Sequence, residues 1–527
     1  MMHRGISMIH AKAAKKTVLI ANRGEISIRI ARTCRKLGFE PVAVYSDADR
    51  FAEHVKYCGK ACWIGGASPK DSYLNVERVL DAARASGAGF IHPGYGFLSE
   101  QTHFAEACIK EGLVFVGPSA KSMKLMGNKI SARSIVDGLG IPRVPGSVGA
   151  VSSAGEAKKI AQEIGFPILL KAASGGGGKG MRRVDKSKDI EPAFDGASRE
   201  ALGAFGDGSL YLEKLILEPH HVEVQIFGDG KGGAIHLGER ECSIQRRHQK
   251  ILEETPSPIL EKFPKTRERM FDAAVKIASS IDYASAGTIE FIVNGRGDFY
   301  FLEMNTRLQV EHPITEWVTG IDLVAWQLDL ASNKFDLPAT VDRKGHSIEV
   351  RLYAEDPFTF LPAPGQIGAI RLPSGEFVRV DSAFTEAGEV SIHYDPMIAK
   401  ISVWAPDRAS AIQRLRVALD DTSVVSGKDG NGFRSGSLRT NLSFIGRLVR
   451  NADFVTGETP TDLIQRNPSL TASNDALSDV SVSMEAAVAT SLVQLLQEGG
   501  DLNESAANAA GVVSNWSATS RREGVSS

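Results

Sequence analysis

The chain has 527 residues, with 61 basic against 63 acidic side chains and a formal net charge of −2, so neither a nucleic-acid nor a membrane-surface footprint is expected. Hydrophobic residues make up 43% without a run of membrane-spanning length, and a chain this long divides into several subdomains rather than one core. Five cysteines, an odd number without paired metal-type spacing, predict free thiols in a reducing compartment.

The first sixteen residues carry Arg4, Lys12, Lys15 and Lys16 and no acid, and read as a loose extension in which Met8 is a candidate start. From Thr17 a strand (Val18–Ala21) meets Asn22-Arg-Gly-Glu25, an amphipathic helix runs to Leu37, and a second strand covers Val42–Tyr45. The alternation continues through Gly89–His92 and Leu113–Val116, which predicts an open parallel sheet with crossover helices. The first turn lacks G-x-G-x-x-G, so the phosphate-cradling reason for a dinucleotide fold is missing. A helix is expected to end near Leu125-Met-Gly-Asn-Lys129.

Phe166–Lys171 reads as a strand, Ser174-Gly-Gly-Gly-Gly-Lys-Gly180 as a loop and Met181–Val184 as the returning strand. A glycine run leaves backbone N–H groups free to close on phosphate oxygens, and Lys171 and Lys179 add positive charge. It is not a Walker loop, because Gly180 follows the lysine and strands flank it where a helix is required. Leu210–Ile216 and His221–Ile226 are further strands, and Glu239–Lys250 concentrates too many cations and amides for an apolar core.

Next, two apolar segments around Asn294-Gly295-Arg296-Gly297 predict a β-hairpin whose turn is centred on Gly295-Arg296 and which sets Glu290 opposite Phe301. After the turn Tyr300, Leu302, Met304, Leu308 and Val310 alternate with Glu303, Asn305, Arg307, Gln309 and Glu311, so an extended backbone would send the polar row to one face. Glu290, Glu303 and the Asn305 amide are hard oxygen donors of the kind Mg²⁺ or Mn²⁺ takes together with nucleotide phosphates. Arg307 and Glu311, farther along the row, suit an anionic substrate and a base acting on it. Beyond the hairpin, Arg351 reads as an isolated cation at a strand end. Ser426–Ser437 reads as a surface insertion, and the Ser/Ala/Asn-rich stretch from Ala472 as a linker or docking tail.

These motifs carry a family resemblance. Glu303-x-Asn-x-Arg-x-Gln-x-Glu-His-Pro313 resembles the metal and bicarbonate strand of biotin carboxylases, in the ATP-grasp superfamily, and Ala21–Ile26 and His92–Glu100 are similar to their N-terminal domain. The resemblance implies α/β and α+β architecture: a Rossmann-like domain at 17–128, an ATP-grasp lid at 129–215, an ATP-grasp core with the metal site at 216–335, a β-rich C-terminal domain at 336–464 and a tail at 465–527. It implies ATP contacts from Lys129, Lys171, the lid glycines Gly176, Gly177 and Gly178, Glu213, Lys214, Ile216, His221, Gln245 and His248. It places bicarbonate and biotin among Lys250, Arg307, Gln309, Val310, Glu311 and Arg351, with Glu311 as base. The implied activity is ATP- and bicarbonate-dependent carboxylation of biotin held on a separate carrier protein, with a carboxyltransferase subunit in trans. A homodimer in the cytoplasm, or in the mitochondrial matrix of a eukaryote, is the implied setting. Ser122-Met123-Lys124-Leu125-Met126 superficially resembles a biotin-acceptor string but belongs to a helical segment.

Overall fold

The computed structural model describes residues 16–472 apart from 148, 173–180, 206, 248 and 428–437. The expected lid with Gly176, Gly177 and Gly178, His248, most of the 426–437 insertion and nearly all of the tail therefore lie outside the described residues.

Five short strands open the chain: β1 (Thr17–Ile20), β2 (Glu40–Tyr45), β3 (Ala61–Trp63), β4 (Phe90–His92) and β5 (Val114–Phe115). They form one parallel sheet in the order β3-β2-β1-β4-β5, as the strand–helix alternation predicts, with β3 added at the edge. The Gly24–Lys36 helix buries Ile26, Ile30, Ala31 and Cys34 at helical spacing, which seats it against this sheet.

Then come β6 (Ile168–Ala172), β7 (Arg182–Val184) and β8 (Leu210–Lys214), a separate antiparallel sheet in the order β7-β6-β8. The remaining strands are β9 (His220–Asp229), β10 (Ala234–Arg246), β11 (Gln249–Thr255), β12 (Ala284–Val293), β13 (Phe299–Asn305), β14 (His346–Tyr353), β15 (Gly365–Arg371), β16 (Val378–Ser382), β17 (Gly388–Val390), β18 (Met397–Ala405) and β19 (Ser423–Ser426). Eight of them make one sheet in the order β13-β12-β9-β10-β11-β14-β18-β16, and β17-β15-β19 forms a small satellite. The sheet runs without a break from β11 into β14, past the expected boundary at 335/336. Apolar side chains of β9, β12 and β13 pack on the Pro264–Ser280 helix, those of β14 and β18 on the Arg408–Asp420 helix. No helix among the described residues is long and apolar enough to cross a membrane.

The hairpin forms with a different register. Phe291 pairs with Phe301, Ile292 with Tyr300 and Val293 with Phe299, so the loop is Asn294–Asp298 and centres on Arg296. Asn294 closes it: its Oδ1 accepts from the N–H groups of Arg296 and Asp298, both at 2.9 Å, and Gly297 takes the positive φ of 82°. A β-bulge at Leu302 then sets Glu290 opposite Glu303 rather than Phe301. It also moves the buried face from Tyr300 and Leu302 to Phe299, Phe301 and Met304, leaving Leu302 43% exposed. The expected extended row stops at Asn305, because Pro313 favours the first turn of a helix and the His312–Thr319 helix begins there. Arg307, Gln309 and Glu311 reach the site from the connecting turn, not from a strand.

Candidate active site

Cross-strand register builds the floor of the site. Arg240 on β10 lies opposite Glu223 on β9, Glu223 opposite Glu290 on β12, and Glu290 opposite Glu303 on β13. Three carboxylates side by side repel one another, so the row requires cations above it. Arg240 supplies one, donating from Nε to Glu223 at 2.6 Å. Lys250, the first cation after the β10–β11 turn, supplies another: its ammonium donates to Glu223 at 2.7 Å, Glu311 at 2.7 Å and Glu290 at 3.3 Å. His221 donates from Nε2 to Glu290 at 2.8 Å and accepts at Nδ1 from Gln245 at 2.6 Å, which fixes its tautomer. Asn305 and Gln309 also donate to Glu290, at 2.7 and 3.3 Å.

Arg351 is not isolated. It donates from Nε to Glu253 at 2.6 Å and through its terminal nitrogen to Glu311 at 3.0 Å. Arg307 is held from outside the hairpin: Glu100 accepts its Nε at 2.8 Å and the Thr306 N–H at 3.0 Å, while Gln309 Oε1 accepts its terminal nitrogen at 2.7 Å. Val310 contributes its carbonyl to Lys400 at 2.7 Å.

Burial raises the Glu290 and Glu311 carboxyls, yet Lys250 and His221 hold Glu290 far below its ordinary value, and Lys250, Arg351 and Arg240 do the same for Glu311. Burial lowers the Lys250 ammonium, but Cys242, Glu223, Glu290 and Glu311 together hold it well above the usual lysine value. Glu290, Glu303 and Asn305 present an oxygen-only donor set to the cleft, which suits a hard divalent cation. The ligand atoms of His221, Glu223 and Glu290 also lie within 4.8 Å of one another, but this set is buried and engaged with Arg240 and Lys250.

The cleft above this floor is about 1560 Å³. Its lining includes His221, Gln245, Lys250, Glu290, Glu303, Asn305, Arg307, Gln309, Val310 and Arg351. The N-terminal sheet supplies a wall through Asn22, Arg23, Glu25 and Tyr95. Glu311 sits beneath the floor, fully buried. Lys171 and Glu213 pair at 2.5 Å on the small β7-β6-β8 sheet, Arg133 joins Glu213 at 3.0 Å, and Lys214 donates to the Phe166 carbonyl at 2.6 Å. These residues are not part of the floor cluster; their sheet forms a second wall, which lines the cleft through Leu169 of β6. Ile216 is half-buried past the end of β8, and Leu215 beside it lines the cleft. Lys129 opens the Lys129–Gly138 helix.

Family models match three consecutive segments of the chain. Residues 14–123 match the model of the biotin carboxylase N-terminal domain, 128–338 that of the carbamoyl-phosphate synthase L chain ATP-binding domain, and 349–466 that of the biotin carboxylase C-terminal domain. A biotin carboxylase of Halalkalibacterium halodurans is 46% identical over 452 residues, 85% of this chain and 97% of that one. The chain belongs to the biotin carboxylase family. The mitochondrial methylcrotonoyl-CoA carboxylase subunit alpha of Rattus norvegicus is 45% identical over 455 residues, 85% of this chain but 62% of that longer protein. Among solved structures, a biotin carboxylase complex with β,γ-ATP from Campylobacter jejuni superposes with a TM-score of 0.78 at 45% identity, covering 86% of this chain and 98% of that one. The biotin carboxylase domain dimer of the Hydrogenobacter thermophilus 2-oxoglutarate carboxylase, in complex with MgADP, ADP and bicarbonate, gives a TM-score of 0.78 at 42% identity, covering 87% and 99%.

Sequence reasoning missed four residues that hold the candidate site together: Glu100, Glu223, Arg240 and Glu253. For Glu223 a signal existed, since His221-x-Glu223-x-Gln225 places it on the face of His221. Arg240 and Glu253 acquire meaning only from strand register.

Proposed function

We propose that the chain uses ATP and bicarbonate to carboxylate the N1′ of biotin carried on a separate protein, the first half-reaction of a biotin-dependent carboxylase. The observation that carries the reading is the convergence of Lys250 and Arg351 on Glu311, at 2.7 and 3.0 Å, with both cations lining the cleft beside the Glu290–Glu303–Asn305 donor set.

Bicarbonate is a weak nucleophile, and Lys250 and Arg307 hold the anion against the γ-phosphate of ATP. As the anion draws on Lys250 and Arg351, those cations are shared and the Glu311 carboxylate becomes basic enough to take the bicarbonate proton. Attack on phosphorus gives carboxyphosphate and ADP. Carboxyphosphate then breaks to CO₂ and phosphate, the phosphate removes the biotin N1′ proton, and Arg351 stabilises the enolate that attacks CO₂. Lys129, Lys171, Glu213, Lys214, His221 and Gln245 bind the nucleotide. Glu290, Glu303 and Asn305 would hold Mg²⁺ or Mn²⁺, whose charge offsets that of the phosphates. The biotin arrives in trans: Ser122–Met126 lies inside the Ala120–Gly127 helix with Met123 and Met126 buried, which is no hairpin tip for a modified lysine. We further assign a homodimer that works with carrier and carboxyltransferase subunits in the cytoplasm, or in the matrix of a mitochondrion.

The deciding assay is ATP hydrolysis with and without bicarbonate and free biotin. Turnover that depends on bicarbonate and is raised by biotin supports the reading; bicarbonate-independent hydrolysis, or none, overturns it. Intact-mass measurement after co-expression with a biotin ligase tests the carrier: biotin added to Lys124 or any other lysine of this chain excludes delivery in trans.

A further inference from the structure

One face of the sheet between β11 and β18 carries an excess of buried acid that the site chemistry does not use. Glu253 on β11 lies directly opposite Glu349 on β14, and Glu349 directly opposite Ser402 on β18. Residues so paired point to the same side, and Arg351, two residues along β14 and opposite Lys400, shares that side. Both glutamates are completely buried. Arg351 engages only one oxygen of Glu253; Glu253 Oε2 and both carboxylate oxygens of Glu349 have no hydrogen-bond partner among the described groups. The other charges on this side are engaged elsewhere: Lys400 bonds the Val310 carbonyl and pairs with Glu25 at 3.3 Å, Arg379, opposite Ser402 on β16, bonds Glu316 and Asp381, and Glu311, ahead of the helix that covers this face, belongs to Lys250 and Arg351.

Two ionised carboxylates facing each other with no exposure to solvent, one of them without any bonded cation, are prohibitively costly. One proton between them removes the repulsion and satisfies orphaned oxygens on both. Glu349, with no cation bonded, is the carboxyl that holds it, and Glu253 remains the carboxylate that Arg351 requires. We propose that Glu253 and Glu349 form a carboxyl pair sharing one proton, which donates from Glu349 to Glu253 Oε2, and that the pair positions Arg351 for its substrate. The direction of both groups agrees: burial, with Glu253 and Glu311 adding to it, pushes Glu349 well above its ordinary value, and burial, with Glu311 adding to it, pushes Glu253 up to about 7. Glu349 touches no reacting atom and is a positioning residue; the part played by Arg351 rests on the function proposed above.

Two measurements separate the pair from that function. The infrared difference spectrum of wild type minus Glu349→Gln at pH 8 should contain the carbonyl band of a protonated carboxyl; a difference confined to carboxylate bands overturns the shared proton, whatever the activity. Glutamine has the shape of the neutral acid and an N–H to offer Glu253, so Glu349→Gln should fold with nearly wild-type thermal stability, and failure to fold counts against the pair. In the steady state, Glu349→Ala should lower kcat for biotin carboxylation about tenfold, in the range for outer partners of site residues, with KM for ATP little changed. Glu349→Gln should restore most of that loss. Equal losses in both variants overturn the positioning role, and a protein without bicarbonate-dependent turnover leaves the infrared result to stand alone.

Discussion

Two lysine–glutamate pairs, one on the small-sheet wall and one on the floor, are of similar length and unlike character. Lys171 and Glu213, on the small β7-β6-β8 sheet, leave 35% and 18% of their side chains exposed; Lys250 and Glu311, on the floor, leave 13% and 1%. The wall pair lies where solvent screens it and where each partner can turn to a ligand at little cost. The floor pair is locked into a network in which each charge answers two or three others, so removing one exposes the rest to an uncompensated interior. Burial, more than separation, decides which charges are preorganised for chemistry and which are free to follow the nucleotide.

The largest way to break this contrast is to remove a floor charge that touches no substrate. Glu223→Ala leaves Arg240 and Lys250 each short of a buried partner and should cost about 3–5 kcal/mol in denaturant unfolding. A cost below about 1 kcal/mol would place the floor in the same class as the wall.

The floor should also show itself in pH dependence. A carboxyl raised to about 7, as at Glu253, binds its proton more tightly folded than unfolded. Its contribution to stability is therefore complete below the ordinary carboxylate value of about 4.3 and disappears as pH rises through about 7. Wild type should lose roughly 3 kcal/mol relative to Glu253→Gln across that window, measured as the change in the difference between their unfolding free energies. Glu290 and Glu311 have the opposite sign: their stabilisation is present above the ordinary carboxylate value and is lost only as the pH falls below it. A difference between the two proteins that is independent of pH would remove Glu253 from the titrating set.

Glu311→Gln sharpens the comparison by keeping shape while removing the base. Carboxylation should fall at least about a hundredfold, roughly 2.7 kcal/mol, with ATP binding retained. Near-normal turnover would end the assignment of Glu311 as base.

What could be seen in advance follows the same division. Four strands of the parallel sheet were legible because each is a short apolar run in an alternation with helix-period segments, whereas β3 is only three residues long and went unread. Glu290, Glu303 and Asn305 were legible because hard oxygen donors rarely alternate with buried apolar residues by chance. The register was misplaced by one because Asn294 closes a five-residue loop through its side chain and Leu302 forms a bulge, neither of which the alternation encodes. The row was read too far because alternation persists through Glu311 although Pro313 has already begun a helix. Arg351 looked isolated because both its partners come from distant sequence, Glu253 and Glu311.

The smallest effect tests the wall itself. Lys171 and Glu213 are each partly exposed, and Arg133 also reaches Glu213, so loss of Lys171 leaves no bare buried charge. A double-mutant cycle of Lys171→Met and Glu213→Gln, read by denaturant unfolding, should give a coupling of about 0.2–1 kcal/mol that shrinks with added salt. The same Lys171→Met variant should raise KM for ATP about tenfold, because the ammonium turns from Glu213 to phosphate only when nucleotide is present. Stability and binding then separate at the wall, whereas at Lys250 they should fall together. A coupling above about 2 kcal/mol that salt does not touch would mean the wall is as rigidly preorganised as the floor, and the contrast between the two pairs would be lost.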